Sequence, residues 1–359
     1  MHATILGSGV AGLASAIVLR RQGIQVDLFE KSATHVRSGM GFVLPPVAVK
    51  HLEVLGLTPE DLGCELGAFS LWNDRGESLC HFALPNGTRA MRRSQLISLL
   101  AKQVPSEHVH FGAHVTEWKL SPTQEIQELH FSDGSVRNAD WVIAADGIHS
   151  SARQRLYPQW PKRKARVQEF VSMVETTEFH AWMGNRLTKF QSHAKGLAFG
   201  VLPVSPTALV WYLQFDRTRY PAPDRWPDSH AKKAFVANLI RGWPDPIPSL
   251  IEASDFSEVH RWQPLDVDLV PSFYRNNLVL VGDAAHPLLP FTSHGVAAAL
   301  ADAVTLGESF EETSSLEACL PLYDQKRRLA CQDLIEQGRT LSNNFLQSEP
   351  TEIQIPIAK

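Results

Sequence analysis

Three glycine-centred segments of this sequence carry residue types that can bind a dinucleotide. They are GSGVAG at residues 7–12, DGIHSSAR at 146–153 and GDAAHPLLP at 282–290. In the first segment Gly7 permits a tight turn, Gly9 lets the backbone approach a pyrophosphate, and Gly12 lets the following helix pack closely on the preceding strand. The N-terminus of that helix offers unpaired amides to the phosphate charge. The spacing therefore predicts a pyrophosphate site at residues 7–12.

A carboxylate follows these glycines at the distance where a ribose is bound. Apolar residues 3–6 and 13–19 predict a strand before the turn and a helix after it, and a second strand, 24–29, ends in Glu30. A carboxylate about 20 residues past the glycines can accept both hydroxyls of an adenosine ribose. It would repel a 2′-phosphate, so the pattern favours FAD or NAD over NADP as the bound nucleotide. The alternative, a chance glycine turn, is weakened by the strand context together with Glu30.

Composition and charge limit the class of protein. The chain has 359 residues, of which 44% are hydrophobic and 20% are charged, which predicts about two domains with a large core. The net charge of −4 gives no general attraction to nucleic acid or to an anionic membrane. No apolar run approaches the roughly 20 residues of a membrane span. The basic segment 162–166 is short and is expected to be a solvated linker.

Four cysteines are scattered without a CxxC pair or histidines at metal-ligand spacing. They predict reduced thiols in a cytoplasmic protein, and no metal site.

Segments with helix-type and strand-type sequence patterns alternate along the chain. Helices are predicted at 47–55 and 93–100, a hairpin at 69–72 and 79–82, and further helices at 229–241, 296–310 and 316–346. Residues 161–273 hold β-type runs at 167–175, 187–191, 197–201 and 209–215, and six of the nine tryptophans lie from Trp160 to Trp262. A sheet rich in large aromatic residues suits the roof of an apolar pocket, and core packing explains those residues equally well.

The order of these segments resembles the class A FAD-dependent aromatic monooxygenases, which have the para-hydroxybenzoate hydroxylase fold. The resemblance covers nearly the whole chain. It rests on the first glycine segment with Glu30, on the pair Gly39 and Gly41, on Arg93 at the start of a helix, on the DGxxSxxR pattern with Ser150 and Arg153, on Gly282-Asp283, and on Tyr323 with Arg327 near the end.

The resemblance implies an α/β fold: a Rossmann-like FAD-binding domain with an inserted β-sheet substrate domain. The FAD-binding domain is expected to comprise residues 1–67, 90–160 and 274–359, and the substrate-binding domain residues 68–89 and 161–273. The resemblance also implies cofactor contacts, including one from Arg93 to the ribityl and pyrophosphate region and one from the Val115 backbone to adenine. The predicted cofactor-binding residues are Gly7, Gly9, Val10, Ala11, Gly12, Glu30, Lys31, Gly41, Arg93, Val115, Asp146, Gly147, Asp283, Pro290 and Gly295.

The activity implied by the resemblance is monooxygenation. NADPH or NADH would reduce FAD, O2 would form a C4a-hydroperoxide, and one oxygen atom would enter a small substrate, expected to be aromatic. Neither a nucleic-acid nor a membrane partner is expected. Deprotonation would assist a phenolic substrate, and His180, His193 and His294 are the candidate bases that the sequence offers.

One departure from the family pattern lies beside the expected flavin ring. The family continues its GD segment into Gly-Gln-Gly-x-Asn, whereas Pro290 here is followed by Phe-Thr-Ser293-His294-Gly295-Val-Ala297. A side chain at Ser293 is expected to limit backbone approach and to restrict positive φ. His294 is either a proton relay or a bystander. The alternatives are therefore an oxidase, a reductase, a halogenase-like enzyme or a flavoprotein without turnover. The tryptophan-containing signature of flavin halogenases is absent, which weakens the halogenase alternative.

Overall fold

A computed structural model describes residues 1–34 and 40–348 of the chain, apart from the side chain of His180. The strands are β1 His2–Leu6, β2 Gln25–Glu30, β3 Gly41–Leu44, β4 Cys64–Glu65, β5 Ala68–Asn73, β6 Ser78–Ala83, β7 Arg89–Arg92, β8 Val109–Phe111, β9 Val115–Leu120, β10 Ile126–Phe131, β11 Val136–Asn138, β12 Trp141–Ala144, β13 Lys162–Lys164, β14 Val167–Glu175, β15 Arg186–Ser192, β16 Leu197–Ser205, β17 Ala208–Asp216, β18 His260–Trp262, β19 Leu265–Val267, β20 Tyr274–Arg275 and β21 Leu278–Leu280.

The helices are α1 Val10–Arg21, α2 Pro46–Val54, α3 Arg93–Ala101, α4 Ser151–Leu156, α5 His180–Met183, α6 Ser229–Leu239, α7 Ile247–Glu252, α8 Gly295–Thr313 and α9 Leu316–Phe345. Short 3₁₀ turns occupy 59–61, 106–108, 282–284 and 290–292. No helix in the described residues is long and apolar enough to cross a membrane.

A six-stranded sheet joins the first strand of the described chain, β1, to the last, β21. Its order is β20-β21-β12-β1-β2-β8, and all neighbours except β20 and β21 run parallel. Strand β12 is buried at every residue, as expected for a strand covered by helices on both faces. Because the strands are parallel, the loops after β1, β2, β12 and β21 leave the same edge, where nucleotides bind in such sheets.

A seven-stranded, mostly antiparallel sheet has the order β18-β14-β17-β16-β15-β5-β6. Alternate residues of its strands point to opposite faces. On one face Phe170, Phe199 and Trp211 form a core with residues from α6 and α7. The other face packs against β3 and against the loop before α8 through separate apolar clusters. The second face is thus turned toward β3 and toward the loop that follows β21.

The predicted elements between residues 47 and 216 are found with shifts of a few residues at their ends. The hairpin is β5 and β6, and the four β-type runs are β14 to β17. The basic segment differs from its prediction, since residues Lys162–Lys164 form a strand antiparallel to β19. Arg163 donates to Asp268 at 2.7 Å, and Arg166 pairs with Asp216 at 2.6 Å. Fixed acidic partners therefore hold this solvated segment in place.

Candidate active site

The turn between β1 and α1 is closed by the chain on one side and open on the other. Gly7 has φ +103°, and its amide donates to the Phe29 carbonyl at 2.7 Å. A Cβ at Gly7 would lie 2.4 Å from the Ala145 carbonyl oxygen, and one at Gly12 would lie 1.9 Å from that of Gly7. A Cβ at Gly9 would meet nothing within 4 Å.

Helix α1 begins at Val10 and Ala11, directly after this open position. No side chain caps the helix N-terminus. Its first amides therefore border unfilled space, where a phosphate group can accept hydrogen bonds from them.

Glu30 ends β2 and is 6% exposed. Its Oε2 accepts hydrogen bonds from the amide and hydroxyl of Ser8 at 2.9 and 3.1 Å, and its Oε1 accepts from the Ser32 amide at 2.9 Å. Burial raises the pKa of this carboxyl, but the bonds from Ser8 and Ser32 outweigh burial and hold the pKa below its ordinary value. A fixed carboxylate thus lies beside the glycine turn, followed by exposed Lys31. The ribose contact itself stays a prediction.

Arg153 joins the second and third glycine segments. The residue lies in α4 and is 1% exposed. Its Nη1 donates to the carbonyls of Asp283 and Ala284 at 2.7 and 2.9 Å, and its Nη2 donates to the Ile148 carbonyl at 2.5 Å. One buried guanidinium therefore fixes the loop after β12 against the loop after β21.

Asp146 and Gly147 lead the loop after β12. The Asp146 Oδ2 accepts from the Ser151 amide at 2.7 Å and from its hydroxyl at 3.0 Å, so it is held at the start of α4, whose N-cap is Ser150. The Asp146 Oδ1 is buried and has no hydrogen-bond partner in the described chain. Gly147 has φ +79°, and a Cβ there would meet nothing within 4 Å. A buried oxygen without a partner beside open backbone is a group that a bound polar ligand satisfies.

Asp283 follows β21 on the other side of this space. Its side chain is exposed to water, yet the surrounding protein is dense enough that burial raises its pKa. Asp283 therefore lies at the floor of a deep cleft, which is accessible to solvent and enclosed by protein. His286, Arg93 and Arg153 are close enough for their charges to lower the same pKa. Arg93, the first residue of α3, therefore lies near the GD loop, as expected if both contact one cofactor.

Gly41 and Val115 lie on two further strands, and their cofactor contacts stay predictions. A Cβ at Gly41 would lie 2.4 Å from a methyl group of Val204, so a glycine is needed where β3 approaches the seven-stranded sheet. Gly39 lies outside the described residues. Val115 begins β9 and is half-buried, two residues after Ala113, whose amide donates to the Glu30 carbonyl at 3.0 Å. The segment before β9 is thus held next to Glu30.

The loop before α8 contains the departure from the family pattern. Pro290 begins a 3₁₀ turn, and Gly295 is the first residue of α8. Contrary to the expectation that a side chain restricts positive φ here, Ser293 adopts φ +54° and ψ +18°. That conformation costs a non-glycine residue roughly 1–2 kcal/mol. His294 is half-buried, and its Nδ1 donates to the Thr292 carbonyl, which fixes the ring on its own loop.

A buried network supports the GD loop from behind. Asp302 of α8 is 0% exposed and accepts from the Gly282 amide at 2.7 Å, from His286 at 2.5 Å and from Arg327 at 2.7 Å. His286, Asp302 and Cys331 also place atoms of metal-ligand type within 4.8 Å of one another. The Arg327 guanidinium already supplies the positive charge there. Asp302 was not predicted, although a lone carboxylate in the apolar stretch 296–306 is a usable signal.

The other candidate bases lie apart from this network. His193 is half-buried, and backbone groups of Phe345 and Gln347 interact with it near the end of α9. Burial lowers its pKa, which favours the neutral ring. The His180 side chain lies outside the described part of the chain. Of the three histidines, His294 is the one carried by the loop between the GD segment and α8.

Comparison with known proteins agrees with this arrangement. Residues 1–338 match the family model described as FAD binding domain. The chain belongs to that family. It is 28% identical to a FAD-dependent urate hydroxylase of Klebsiella pneumoniae subsp. pneumoniae, over 94% of this chain and 89% of the relative. It is 26% identical to a 6-hydroxynicotinate 3-monooxygenase of Bordetella bronchiseptica, over 90% and 86%.

A crystal structure of Klebsiella pneumoniae HpxO with FAD and uric acid superimposes with a TM-score of 0.87 at 26% identity, covering 96% of this chain and 88% of that one. The predicted α/β fold of the para-hydroxybenzoate hydroxylase type is thereby confirmed. The family is that of the class A flavin monooxygenases, and its cofactor is FAD.

The residues of this chain fit that cofactor. The open position at Gly9, the unpartnered Oδ1 of Asp146 and the enclosed but accessible Asp283 border one space at the carboxyl edge of the parallel strands. Such a set suits a ligand with both phosphate and hydroxyl groups.

Proposed function

We propose that this chain is an FAD-dependent monooxygenase that takes electrons from NADH or NADPH, uses O2, and hydroxylates a small aromatic or heterocyclic compound. The observation that carries the proposal is the convergence of three loops. The loops after β1, β12 and β21 meet around Gly9, Asp146 and Asp283, while the loop 290–295 turns toward the seven-stranded sheet. The relatives named for urate and 6-hydroxynicotinate support a substrate of this size and kind.

Bound FAD would supply the redox and oxygen chemistry, and the chain would bind and orient it. We propose that the amides of Val10 and Ala11 hold the pyrophosphate, that Glu30 holds the adenosine ribose, and that Asp283 and Arg93 hold the ribityl region. The loop from Pro290 to Gly295 would lie along the isoalloxazine ring, and the N-terminus of α8 would stabilise negative charge on it.

We propose that the two sheets divide this work. Residues 1–67, 90–160 and 274–359 would form the FAD-binding domain, and residues 68–89 and 161–273 the substrate-binding domain. The apolar clusters that join the seven-stranded sheet to β3 and to the loop before α8 support this division. Substrate would lie between that sheet and the flavin ring, where the two clusters exclude water.

Single-turnover and labelling measurements on the FAD-loaded protein test the proposal. The protein is first reduced anaerobically with NADH or NADPH and then mixed with ¹⁸O2 in the presence of urate, 6-hydroxynicotinate or other hydroxylated heterocycles. Faster flavin reduction with a bound compound and one ¹⁸O atom in its product would support monooxygenation. Reduction followed by formation of hydrogen peroxide alone, with every compound, would favour an oxidase.

A flavoprotein without turnover is the second candidate, because Ser293 replaces a family glycine and carries positive φ. Failure of both nicotinamides to reduce the bound flavin would favour it, or would indicate dependence on an external reductase. Dithionite reduction followed by rapid reaction with O2 separates these two cases.

A further inference from the structure

The seven-stranded sheet turns one face toward the proposed flavin site, and we call it the inner face. The strand register places its residues in three cross-strand rows. The rows are Leu202, Val210 and Met173; Lys189, Gly200, Tyr212 and Val171; and Gln191, Ala198, Gln214 and Glu169.

Contacts at the two sides of the inner face show which parts of the chain it packs against. Val204 and Val210 contact the position of Gly41 on β3, where an added Cβ would lie 2.4 and 3.2 Å from their methyl groups. At the other side Ala198 belongs to one apolar cluster with Leu289 and Phe291 of the loop before α8. The middle of the inner face therefore spans the gap between β3 and loop 290–295, where the substrate of the proposed function would lie.

The row of the inner face that holds Ala198 is polar at its other positions, although its surroundings are apolar. Glu169 and Gln214 are each 4% exposed, and the Gln214 Nε2 donates to the Glu169 Oε1 at 2.7 Å. The Gln214 Oε1 is buried and has no hydrogen-bond partner within the described residues. A buried polar atom left unsatisfied by the protein commonly marks a place that water or a ligand fills.

Tyr212 and Lys189 complete the polar group. A Cβ at Gly200 would lie 2.0 Å from the Tyr212 Cζ and 2.4 Å from its hydroxyl oxygen, so the ring lies over Gly200. Lys189 pairs with Gly200 on the next strand, and the ring therefore leans toward the lysine. The Lys189 Nζ lies 6.0 Å from the Phe345 ring centroid. In the described residues, neither it nor the Tyr212 hydroxyl has a hydrogen-bond partner, and no ion pair within 4.0 Å joins Lys189 to Glu169.

The electrostatic environment shows that these groups are enclosed. Burial raises the pKa of Glu169 to about 7, against the lowering effects of Gln214 and Lys189. Burial lowers the pKa of Lys189 to about 8, against the attraction of Glu169. Lys189 is half-buried by its accessible surface yet closely surrounded by protein, which is the same condition as that of Asp283. Keeping an enclosed acid and an enclosed base charged without a direct ion pair between them is costly, and a ligand that contacts both offsets that cost.

We propose that Glu169 and Lys189, with Tyr212 between them, bind the polar edge of the substrate, and that this edge is a ring N–H beside a carbonyl, as in the lactam form of a hydroxylated nitrogen heterocycle. Glu169 accepts the ring N–H, while Lys189 and Tyr212 donate to the carbonyl oxygen. The inference rests on the proposed function and specifies its substrate class. A neutral edge with one donor and one acceptor matches an acid and a base of opposite charge, whereas a carboxylate edge leaves Glu169 facing a like charge.

The test measures the equilibrium binding of three probe compounds to the oxidised, FAD-loaded protein. Binding is monitored through the change in the flavin absorption spectrum. The probes are 2-hydroxyquinoline, which is a lactam in water, quinoline, which lacks both groups, and quinoline-2-carboxylate. We expect 2-hydroxyquinoline to bind at least about tenfold more tightly than either of the other probes, because it alone can form hydrogen bonds to both charged groups. Equal affinities for the three, or no absorption change with any of them, would overturn the proposal.

Substitutions at Glu169, Lys189 and Tyr212 test whether these residues account for the selective binding of the lactam. Glu169→Gln and Lys189→Met should each lower the affinity for 2-hydroxyquinoline about tenfold and leave that for quinoline within about twofold. Tyr212→Phe keeps the ring over Gly200 and removes the hydroxyl alone, so it remains informative if a charge variant fails to load FAD. The matched controls are Lys195→Met and Glu178→Gln, which alter exposed residues of the same sheet region. Equal losses in variants and controls would refute the assignment.

The outcome is separable from that of the proposed function. Normal reduction by NAD(P)H and normal ¹⁸O transfer, combined with unchanged probe affinities in the variants, would refute this inference and leave monooxygenation standing. Loss of selective lactam binding in the variants, combined with a flavin that no nicotinamide reduces and that transfers no ¹⁸O after dithionite reduction, would refute the proposed function and leave the binding edge standing.

Discussion

Replacement of Arg153 by methionine should destabilise the apoprotein and weaken FAD binding together. The guanidinium is 1% exposed and donates to three backbone carbonyls, those of Ile148, Asp283 and Ala284. Methionine fills most of the same volume and donates nothing. The variant therefore isolates the hydrogen bonds that hold the loops after β12 and β21 together.

The magnitude follows from those three bonds. Hydrogen bonds from a charged donor contribute roughly 1.5–3 kcal/mol each, and losses within one network are not additive. Asp283 borders an accessible cleft, so water can replace part of what is lost. We expect the free energy of unfolding to fall by about 3 kcal/mol, and the dissociation constant of FAD to rise at least about tenfold because both loops border its site.

Two assays measure these effects. Urea unfolding of the apoprotein, monitored by tryptophan fluorescence, gives the change in the free energy of unfolding. Titration with FAD, monitored by FAD fluorescence, gives the change in its dissociation constant. Arg155→Met is the matched control, because Arg155 is an exposed residue of the same helix whose guanidinium lies 5.7 Å from the Trp118 ring centroid. Its loss should cost at most about 1 kcal/mol. If Arg153→Met and Arg155→Met behave alike in both assays, Arg153 does not hold the two loops together.

Three further predictions follow from single residues. Ser293→Gly should stabilise the apoprotein by a net of about 0.5–1 kcal/mol after the entropy of glycine is subtracted, and so raise its thermal midpoint; an unchanged midpoint would show that the loop is not strained. Gly12→Ala, whose Cβ would lie 1.9 Å from the Gly7 carbonyl oxygen, should lower both apoprotein stability and FAD affinity. Gly9→Ala should lower FAD affinity alone, and equal stability losses in the two alanine variants would contradict the packing described for the turn. Hydrogen bonds from Arg166 and Thr218 lower the pKa of Asp216 to about 2 despite burial, so their stabilisation is present above the unfolded pKa near 3.8 and is lost as the pH falls toward 2. Acid unfolding of Asp216→Asn should therefore show a deficit of about 1–2 kcal/mol at neutral pH that shrinks below about pH 4, and a deficit independent of pH would refute this assignment.

Local patterns allowed much of the fold to be predicted from the sequence. The phosphate turn, the hairpin β5–β6 and the long strands β14 to β17 depend on glycine spacing, turn residues and alternation, which act over a few neighbouring positions. The basic segment 162–166 was expected to be a linker, because its partner β19 lies about 100 residues further along the chain. Pairing between strands so far apart in the sequence produces no local sequence pattern that could predict it.

The sequence by itself determined the nucleotide turn with Gly7 and Gly12 and the order of the glycine segments. The conformations of these residues are restricted by their own sterics, so residue type and spacing carry the information. Tertiary structure alone decided that Arg153 would bridge two loops, that Asp302 would lie under the GD segment, and that Glu169 and Lys189 would share one enclosed face. Those relations join residues separated by 20 to 131 positions, and their electrostatics depend on burial, which exists only once the sheets have packed together.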